Sequence, residues 1–180
     1  VIIVGGNHDS PSQLDAPHDV LAALDVTVIG GWSADDQDRH VVPLQPKGGA
    51  VAAVVLAVPY VHEYALGLRT TGLSRADMAA ALAERFAALY AGLCDRAEAL
   101  HPSVPLLATG HLTAVGTERG DAPRDIHLVG TIGGLPATIF DPRLRYVALG
   151  HIHRPMPVPG SVARYSGTPV PIAQAEAALA

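Results

Sequence analysis

The stretch VIIVGGNHD, Val1 to Asp9, is a run of apolar, mostly β-branched residues that ends in two glycines and then an amide, an imidazole and a carboxylate. Such a run reads as a strand buried in a sheet, because β-branched side chains fit the pleated backbone. Two later stretches finish the same way: LLATGHL, Leu106 to Leu112, and YVALGHIH, Tyr146 to His153. In open α/β sheets ligands gather beyond the carboxyl ends of parallel strands, where loops converge. The repeated pattern therefore predicts that Asn7, His8, His111, His151 and His153 meet in one region. The glycine before each polar residue is expected to let the backbone turn sharply and approach an ion closely.

Outward from these strands the chain alternates between apolar runs and helical patterns. Pro11 to Leu24 is expected to be one helix, capped by Ser10, with Leu14, Leu21 and Leu24 at helical spacing. Asp25 to Ile29 reads as a strand, and Val41 to Leu44 with Val51 to Val58 as a hairpin or edge pair around Lys47-Gly48-Gly49. Ser74 and Asp77 mark the start of a long helix whose apolar face runs Met78, Leu82, Phe86, Leu89, Tyr90, Leu93 and ends near Leu100, ahead of His101-Pro102. Strands are expected at Pro105 to Thr109, Ile126 to Val129, Arg145 to Leu149 and Ala163 to Ser166. The fold class is α/β, a mixed sheet covered by helices.

Composition narrows the function classes. Hydrophobic residues make up 49% of the 180, a share that suits one well-buried core. The longest apolar runs are strand-length, so no membrane partner is expected. The single cysteine, Cys94, excludes an internal disulfide and fits a cytoplasmic, reducing setting; its place in a helical apolar pattern gives it a packing role. A net charge of −5 argues against holding nucleic acid by bulk electrostatics. Six arginines between Thr117 and Tyr165 (Arg119, Arg124, Arg143, Arg145, Arg154, Arg164) against four acids nevertheless outline a locally basic face.

His151 and His153 lie two apart, so on an extended segment their β-carbons stand on one side, roughly 6–7 Å from each other. Imidazoles so spaced can each take one of two metal ions about 3.5–4 Å apart, as in phosphoryl-transfer sites. Imidazole with amide and carboxylate oxygen suits Mn, Fe, Zn or Ni and is poor for Ca. Neutral imidazole ligands predict metal affinity that falls below about pH 6.5. A histidine outside this set is read as a hydrogen-bonded structural residue, which covers His18, His40, His62, His101 and His127. Asp9 has two readings, a helix cap or a group that orients a histidine. Phosphate loops of the GxxxxGK type are absent, and so is a serine nucleophile elbow.

At GNHD, GH and GHIH the sequence resembles the calcineurin-like metallophosphoesterases, whose motifs come in that order. GHLTAVG, the Asp121-Ala122-Pro123-Arg124-Asp125 loop and RYSGTPVPI (Arg164 to Ile172) narrow the resemblance to the branch formed by the nuclease subunits of bacterial DNA-repair complexes. The resemblance implies a mixed β-sandwich flanked by helices and a metal-dependent DNA exonuclease and endonuclease. It implies two divalent ions, most simply Mn²⁺, with Asn7, His111 and His151 on one and His153 on the other. It further implies His8 as the catalytic proton donor, Asp9 in support, and Arg124 and Arg154 as DNA contacts. The implied partners are DNA, an ATPase subunit and a second copy of the nuclease subunit. Two earlier family motifs, Asp-x-His and Gly-Asp, do not occur before Val1. The resemblance thus makes residues 1–172 the later portion of the nuclease domain and 173–180 a tail without the family's capping domain, and this chain alone is expected to be inactive. The alternatives are a phosphatase or small phosphodiesterase of the same superfamily, and an inactive scaffold.

Overall fold

The computed structural model describes residues 1–69, 71–115 and 134–170. The predicted strand Ile126 to Val129, the residues Arg119, Arg124 and His127, and the tail 173–180 lie outside the described residues. In chain order the strands are β1 (Ile2–Val4), β2 (Thr27–Ile29), β3 (Val41–Leu44), β4 (Ala53–Leu56), β5 (Leu106–His111), β6 (Ala114–Val115), β7 (Leu135–Pro136), β8 (Leu144–Gly150), β9 (Met156–Pro157) and β10 (Ala163–Tyr165). The helices are α1 (Pro11–Asp15), α2 (His18–Ala22) and α3 (Arg75–Leu100).

A six-stranded mixed sheet runs β3-β4-β5-β8-β10-β9. Its four inner strands are parallel, while β3 and β9 lie antiparallel along the two edges. Of the inner strands β4 is buried almost throughout, as an apolar strand covered on both faces should be, while β8 and β10 alternate buried residues with exposed Arg145, Ala148 and Arg164. Pro43 and Pro157 sit in β3 and β9, and an edge strand is where a residue without an N–H costs no ladder bond. The expected edge pair is thus present, with Val41 opposite Leu56 and Leu44 opposite Ala53.

One face is covered by α3. Its start matches the sequence signal: the Ser74 hydroxyl oxygen accepts from the Asp77 N–H and its O–H donates to the Asp77 carboxylate. The helix buries Leu82, Phe86, Leu89, Tyr90, Leu93, Cys94 and Ala97 in the core shared with Val54, Leu56, Leu106, Ala108 and Val147. Each large side chain fully buried there contributes roughly 1.5–3 kcal/mol, so Leu93→Ala costs about 2–5 kcal/mol. Cys94 is wholly buried, and burial pushes its thiol up to about 12. Arg143, just ahead of β8, ties the helix down by bonding Asp141, Asp95, Glu98 and the Ala91 carbonyl.

A second layer is the parallel pair β1-β2, which packs Ile29, Ile2 and Val4 on Val42 and Ala57. Here the expected helix from Pro11 to Leu24 is two short ones. Pro17 has no N–H to give and disfavours helix in the residue before it, so α1 ends at Asp15 and α2 restarts at His18. Ser10 precedes α1 but makes no side-chain cap bond. Leu24 falls beyond α2 and is 68% exposed, so it does not continue the apolar face.

Candidate metal centre

Three chain segments meet at the carboxyl ends of the parallel strands. His111 closes β5 directly opposite Gly150 at the end of β8. The end of β1 is brought alongside by the Tyr60 N–H, which donates to the Gly5 carbonyl at 2.8 Å. Asn7 then faces His111: its Oδ1 stands 2.9 Å from Nε2 across 104 residues of sequence. An amide oxygen can only accept, so in this arrangement the His111 ring carries its proton on Nε2. The His151 ring lies on the other side, 5.2 Å from His111 between centroids and tilted by 64°. A cavity of about 110 Å³ opens here, lined among others by Asn7, Tyr60, Glu63, His111 and His151.

The glycines have a different role from the one expected. Gly5, Gly6, Gly110 and Gly150 are not among the residues with positive φ. They make room. A methyl carbon on Gly6 would sit 2.7 Å from His111 Cε1, and one on Gly150 would sit 2.9 Å from His111 Nδ1. The imidazole is therefore held edge to edge between two backbones that tolerate no side chain. Gly110 does the same for α3, since a methyl carbon there would meet the Tyr90 hydroxyl at 2.7 Å and Leu149 Cδ2 at 2.9 Å. Of the three described non-glycine residues with positive φ, Asp25, Ser103 and His151, His151 lies at the site, at φ 86°. Strained backbone of this kind at a non-glycine residue recurs at functional sites, and also in turns such as those at Asp25 and Ser103.

Burial, with the neighbouring His151 next in weight, lowers the His111 pKa to about 4. Asp9 opposes that shift, and His8 and His153 add to it. The His151 pKa is also lowered, first by burial and then by His153 and His8. Both rings are neutral at pH 7, the form in which imidazole binds metal. This depression moves the proton competition at these two residues below the pH 6.5 expected from an ordinary histidine.

The spacing of one donor pair is compatible with a shared divalent ion. Two donors bound at about 2.1 Å to one ion at right angles stand about 3 Å apart, which is the separation of Asn7 Oδ1 and His111 Nε2. Among the described residues no three His, Cys, Asp or Glu side chains group closely enough to hold an ion among themselves. Any donor set here would therefore depend on the Asn7 amide with His111 beside it, the His151 ring standing 5.2 Å from His111 between centroids.

The other predicted residues fall as follows. His8 and Asp9 are exposed on the loop after β1. The Asp9 carboxylate accepts from the Gly6 N–H at 2.7 Å, so it closes its own loop and does not cap α1. His153 is exposed, its charge acts on both His111 and His151, and its backbone carbonyl accepts from Thr168. The segment carrying His151 and His153 is bent, with His151 left-handed, so the same-side argument for an extended strand does not describe it. Arg154 is exposed. The basic face is narrower than the arginine count suggests, because Arg143 is taken up by three carboxylates. His40 is the structural histidine expected: wholly buried, its Nδ1–H donates to Ala57 O and its Nε2 accepts from the Ser33 N–H.

Two groups at the site were not visible in the glycine–histidine pattern. Tyr60 stands edge-on to His111, 6.2 Å between centroids. It follows β4, which runs parallel to β5, so the polar residue ending the run Val51 to Tyr60 was an available signal. Tyr165 is buried at the end of β10, where its hydroxyl donates to Leu112 O and accepts from the Ala114 N–H, fixing the chain just past His111. A tyrosine inside RYSGTP carries no local sign of that distant partner.

A six-stranded mixed sheet flanked by helices, with parallel strands that deliver an amide and imidazoles to one sheet edge, is consistent with a metallophosphoesterase-like α/β fold. More narrowly, the chain is a relative of SbcD, the D component of the SbcCD nuclease. It is 40% identical to SbcD of Rhodobacter capsulatus over 98% of this chain and 44% of the relative. It is 33% identical to SbcD of Escherichia coli (strain K12) over 96% of this chain and 42% of the relative. It is 27% identical to SbcD of Bacillus subtilis (strain 168), over 100% of this chain and 44% of the relative. No family model matches the chain. The chain spans less than half the length of the curated relatives it matches.

Proposed function

We propose that this chain belongs to the catalytic part of an SbcCD-type nuclease, the component that hydrolyses DNA phosphodiester bonds with divalent metal ions in DNA repair. The observation that carries the reading is the 2.9 Å approach of Asn7 Oδ1 to His111 Nε2, with His151 beside them at the ends of separate strands. In this reading Asn7, His111 and His151 would hold one ion and His153 a second, with Mn²⁺ the proposed occupant. The ions would supply Lewis acidity toward the phosphate and a water of lowered pKa. His8, exposed beside His111 and His151, gives the leaving oxygen its proton. Asp9 supports by holding the Gly6 to Asp9 loop closed. Arg154 and Arg124 contact the DNA backbone. An SbcC-type ATPase and a second copy of the nuclease are the partners this reading implies.

The test is an electron paramagnetic resonance titration of the chain with Mn²⁺. Asn7→Ala and His111→Ala are each expected to weaken binding tenfold or more, the usual loss at a metal site whose donor set is broken. Mn²⁺ affinity unchanged in both variants overturns the reading.

A further inference from the structure

Asn7 and His111 stand on different sheets, so no strand ladder among the described residues sets their spacing. Asn7 follows β1 in the separate pair β1-β2, while His111 ends β5 in the six-stranded sheet. At this end the two sheets are joined through the segment after β4. The β4-β5 pairing stops with Leu56 opposite Ala108, and one residue further along β5 the Thr109 side chain takes over. Its Oγ1 accepts from the buried Val58 N–H at 2.8 Å, and its O–H donates to the Val58 carbonyl at 2.9 Å, the nearer of two carbonyls in reach. The Val58 N–H is shared with the Leu56 carbonyl at 3.0 Å, but that bond stays within its own segment. Thr109 is itself held from α3, because the Tyr90 hydroxyl donates to its carbonyl at 2.9 Å. Pro59 comes next; proline fixes its own φ and keeps the residue before it extended, so the link from Val58 to Tyr60 is stiff. The Tyr60 N–H then donates to Gly5 O, two residues ahead of Asn7. The path closes on itself: Thr109 to Val58, Tyr60 to Gly5, Asn7 to His111, and two residues back along β5 to Thr109. Only the Tyr60–Gly5 link runs from backbone to backbone; the others are the donor pair itself and the Thr109 hydroxyl.

We propose that Thr109 is a positioning residue for the candidate metal centre: its hydroxyl, acting through Val58, Pro59 and Tyr60, sets the distance between Asn7 Oδ1 and His111 Nε2. The proposal rests on the reading of that pair as metal donors and adds the group that brings them together. A parallel ladder continued past Leu56 would keep the chain on β5, and Tyr60 would not reach the end of β1. A side chain that pairs with both backbone groups of one residue holds the segment at β5 and still lets it turn away toward Gly5. Valine matches threonine in shape and lacks the hydroxyl. Thr109→Val therefore strips the hydroxyl from the carbonyl of Val58, a residue with no exposed surface. Val58 can then draw away from β5, and the stiff link carries that shift to Gly5 and Asn7.

The experiment uses the whole chain, isotope-labelled at the histidine nitrogens, with two readouts. The first, by nuclear magnetic resonance of the metal-free chain, is the Nε2–H proton of His111, which its bond to Asn7 protects from exchange. It is expected in the unaltered chain and in Thr109→Ser, and is expected to be lost in Thr109→Val. The second is Mn²⁺ affinity by electron paramagnetic resonance, expected to fall about 10–100-fold in Thr109→Val and to return in Thr109→Ser. Arg143→Met, at the far end of β8 from the site, controls for lost stability and is expected to move neither readout. Pro59→Gly removes no hydrogen bond and only loosens the link, so it is expected to weaken Mn²⁺ binding in the same direction; it decides the case should Thr109→Val not fold, and an unchanged affinity there counts against the proposal. Either readout unchanged in Thr109→Val, failure of Thr109→Ser to restore it, or equal losses in Arg143→Met overturns the proposal. Mn²⁺ bound through Asn7 and His111 with no response to Thr109→Val sinks the positioning role and leaves the metal reading standing. If the unaltered chain binds no Mn²⁺, the metal reading falls and the proton signal alone decides the positioning: lost in Thr109→Val it stands, kept it falls.

Discussion

The confinement of His111 between Gly6 and Gly150 has a measurable energetic signature. Gly6→Ala places a methyl carbon where His111 Cε1 lies 2.7 Å away, and a ring displaced toward Gly150 enters a space so narrow that a methyl carbon on Gly150 would itself stand 2.9 Å from Nδ1. Overpacking a site that cannot relax costs roughly 1–3 kcal/mol. Removing the ring by His111→Ala leaves the space that the new methyl group needs. The double variant should therefore lose little beyond what His111→Ala loses alone, giving a coupling of about 1–3 kcal/mol in a double-mutant cycle. The assay is urea unfolding of the four proteins in EDTA, followed by circular dichroism at one pH. Coupling below about 0.5 kcal/mol would mean that the two sites are independent, and the close approach would not govern the ring. The same Gly6→Ala protein is expected to bind Mn²⁺ about tenfold or more weakly, because a displaced ring misplaces its nitrogen.

Three further outcomes follow from buried polar groups. Tyr165→Phe leaves the Ala114 N–H and the Leu112 carbonyl without the hydroxyl that serves both, and should cost roughly 2–4 kcal/mol, read as a thermal midpoint lowered by about 5–15 °C. Stability should fall as pH drops from 6.5 toward 4, because His40, His111 and His151 have lowered pKa values in the fold and the unfolded chain takes up more protons there. For buried His40 alone the slope reaches up to about 1.4 kcal/mol per pH unit; a urea midpoint flat across that window in EDTA would contradict the assignment of these rings as neutral. Arg143→Met should cost roughly 1–3 kcal/mol, since it strips the mostly buried Asp141 carboxylate of its bidentate partner. Arg143 holds that carboxyl below the usual carboxylate range, so its contribution is present above about pH 4 and lost below it. The acid limb near pH 4 should be shallower in the variant.

Much of the framework was legible because its signals are local. Apolar runs closed by glycine marked β1, β5 and β8 to within a residue or two, and the Ser74–Asp77 pair marked the start of α3. Pro17 was equally local and was outweighed by leucine spacing, although the missing N–H decides the matter. What could not be read were the reasons held in distant neighbours. Gly6 and Gly150 are glycines because of a histidine far from both in sequence, and nothing next to them states it. His40 and His62 look alike as isolated histidines; one is buried between two backbone partners and the other stands in a surface ring row. Tyr60 and Tyr165 differ from other tyrosines only through what they touch.

These neighbours also explain how a metal-type histidine can be oriented without a carboxylate behind it. A ligating imidazole ordinarily has its second nitrogen fixed by a carboxylate or carbonyl, which settles the tautomer in advance. Among the described residues His111 is instead positioned by two glycine backbones that confine the ring sterically, while its hydrogen bond runs to Asn7 on the side where an ion would enter. Steric confinement fixes the plane of the ring and leaves the proton free to change nitrogen. The Nε2–H that contacts Asn7 in the metal-free chain must give way when Nε2 becomes a donor, so ion entry exchanges one hydrogen bond for two coordinate bonds with little movement of either side chain. The burial that keeps the ring neutral makes that exchange possible at pH 7, because no second proton has to be expelled first.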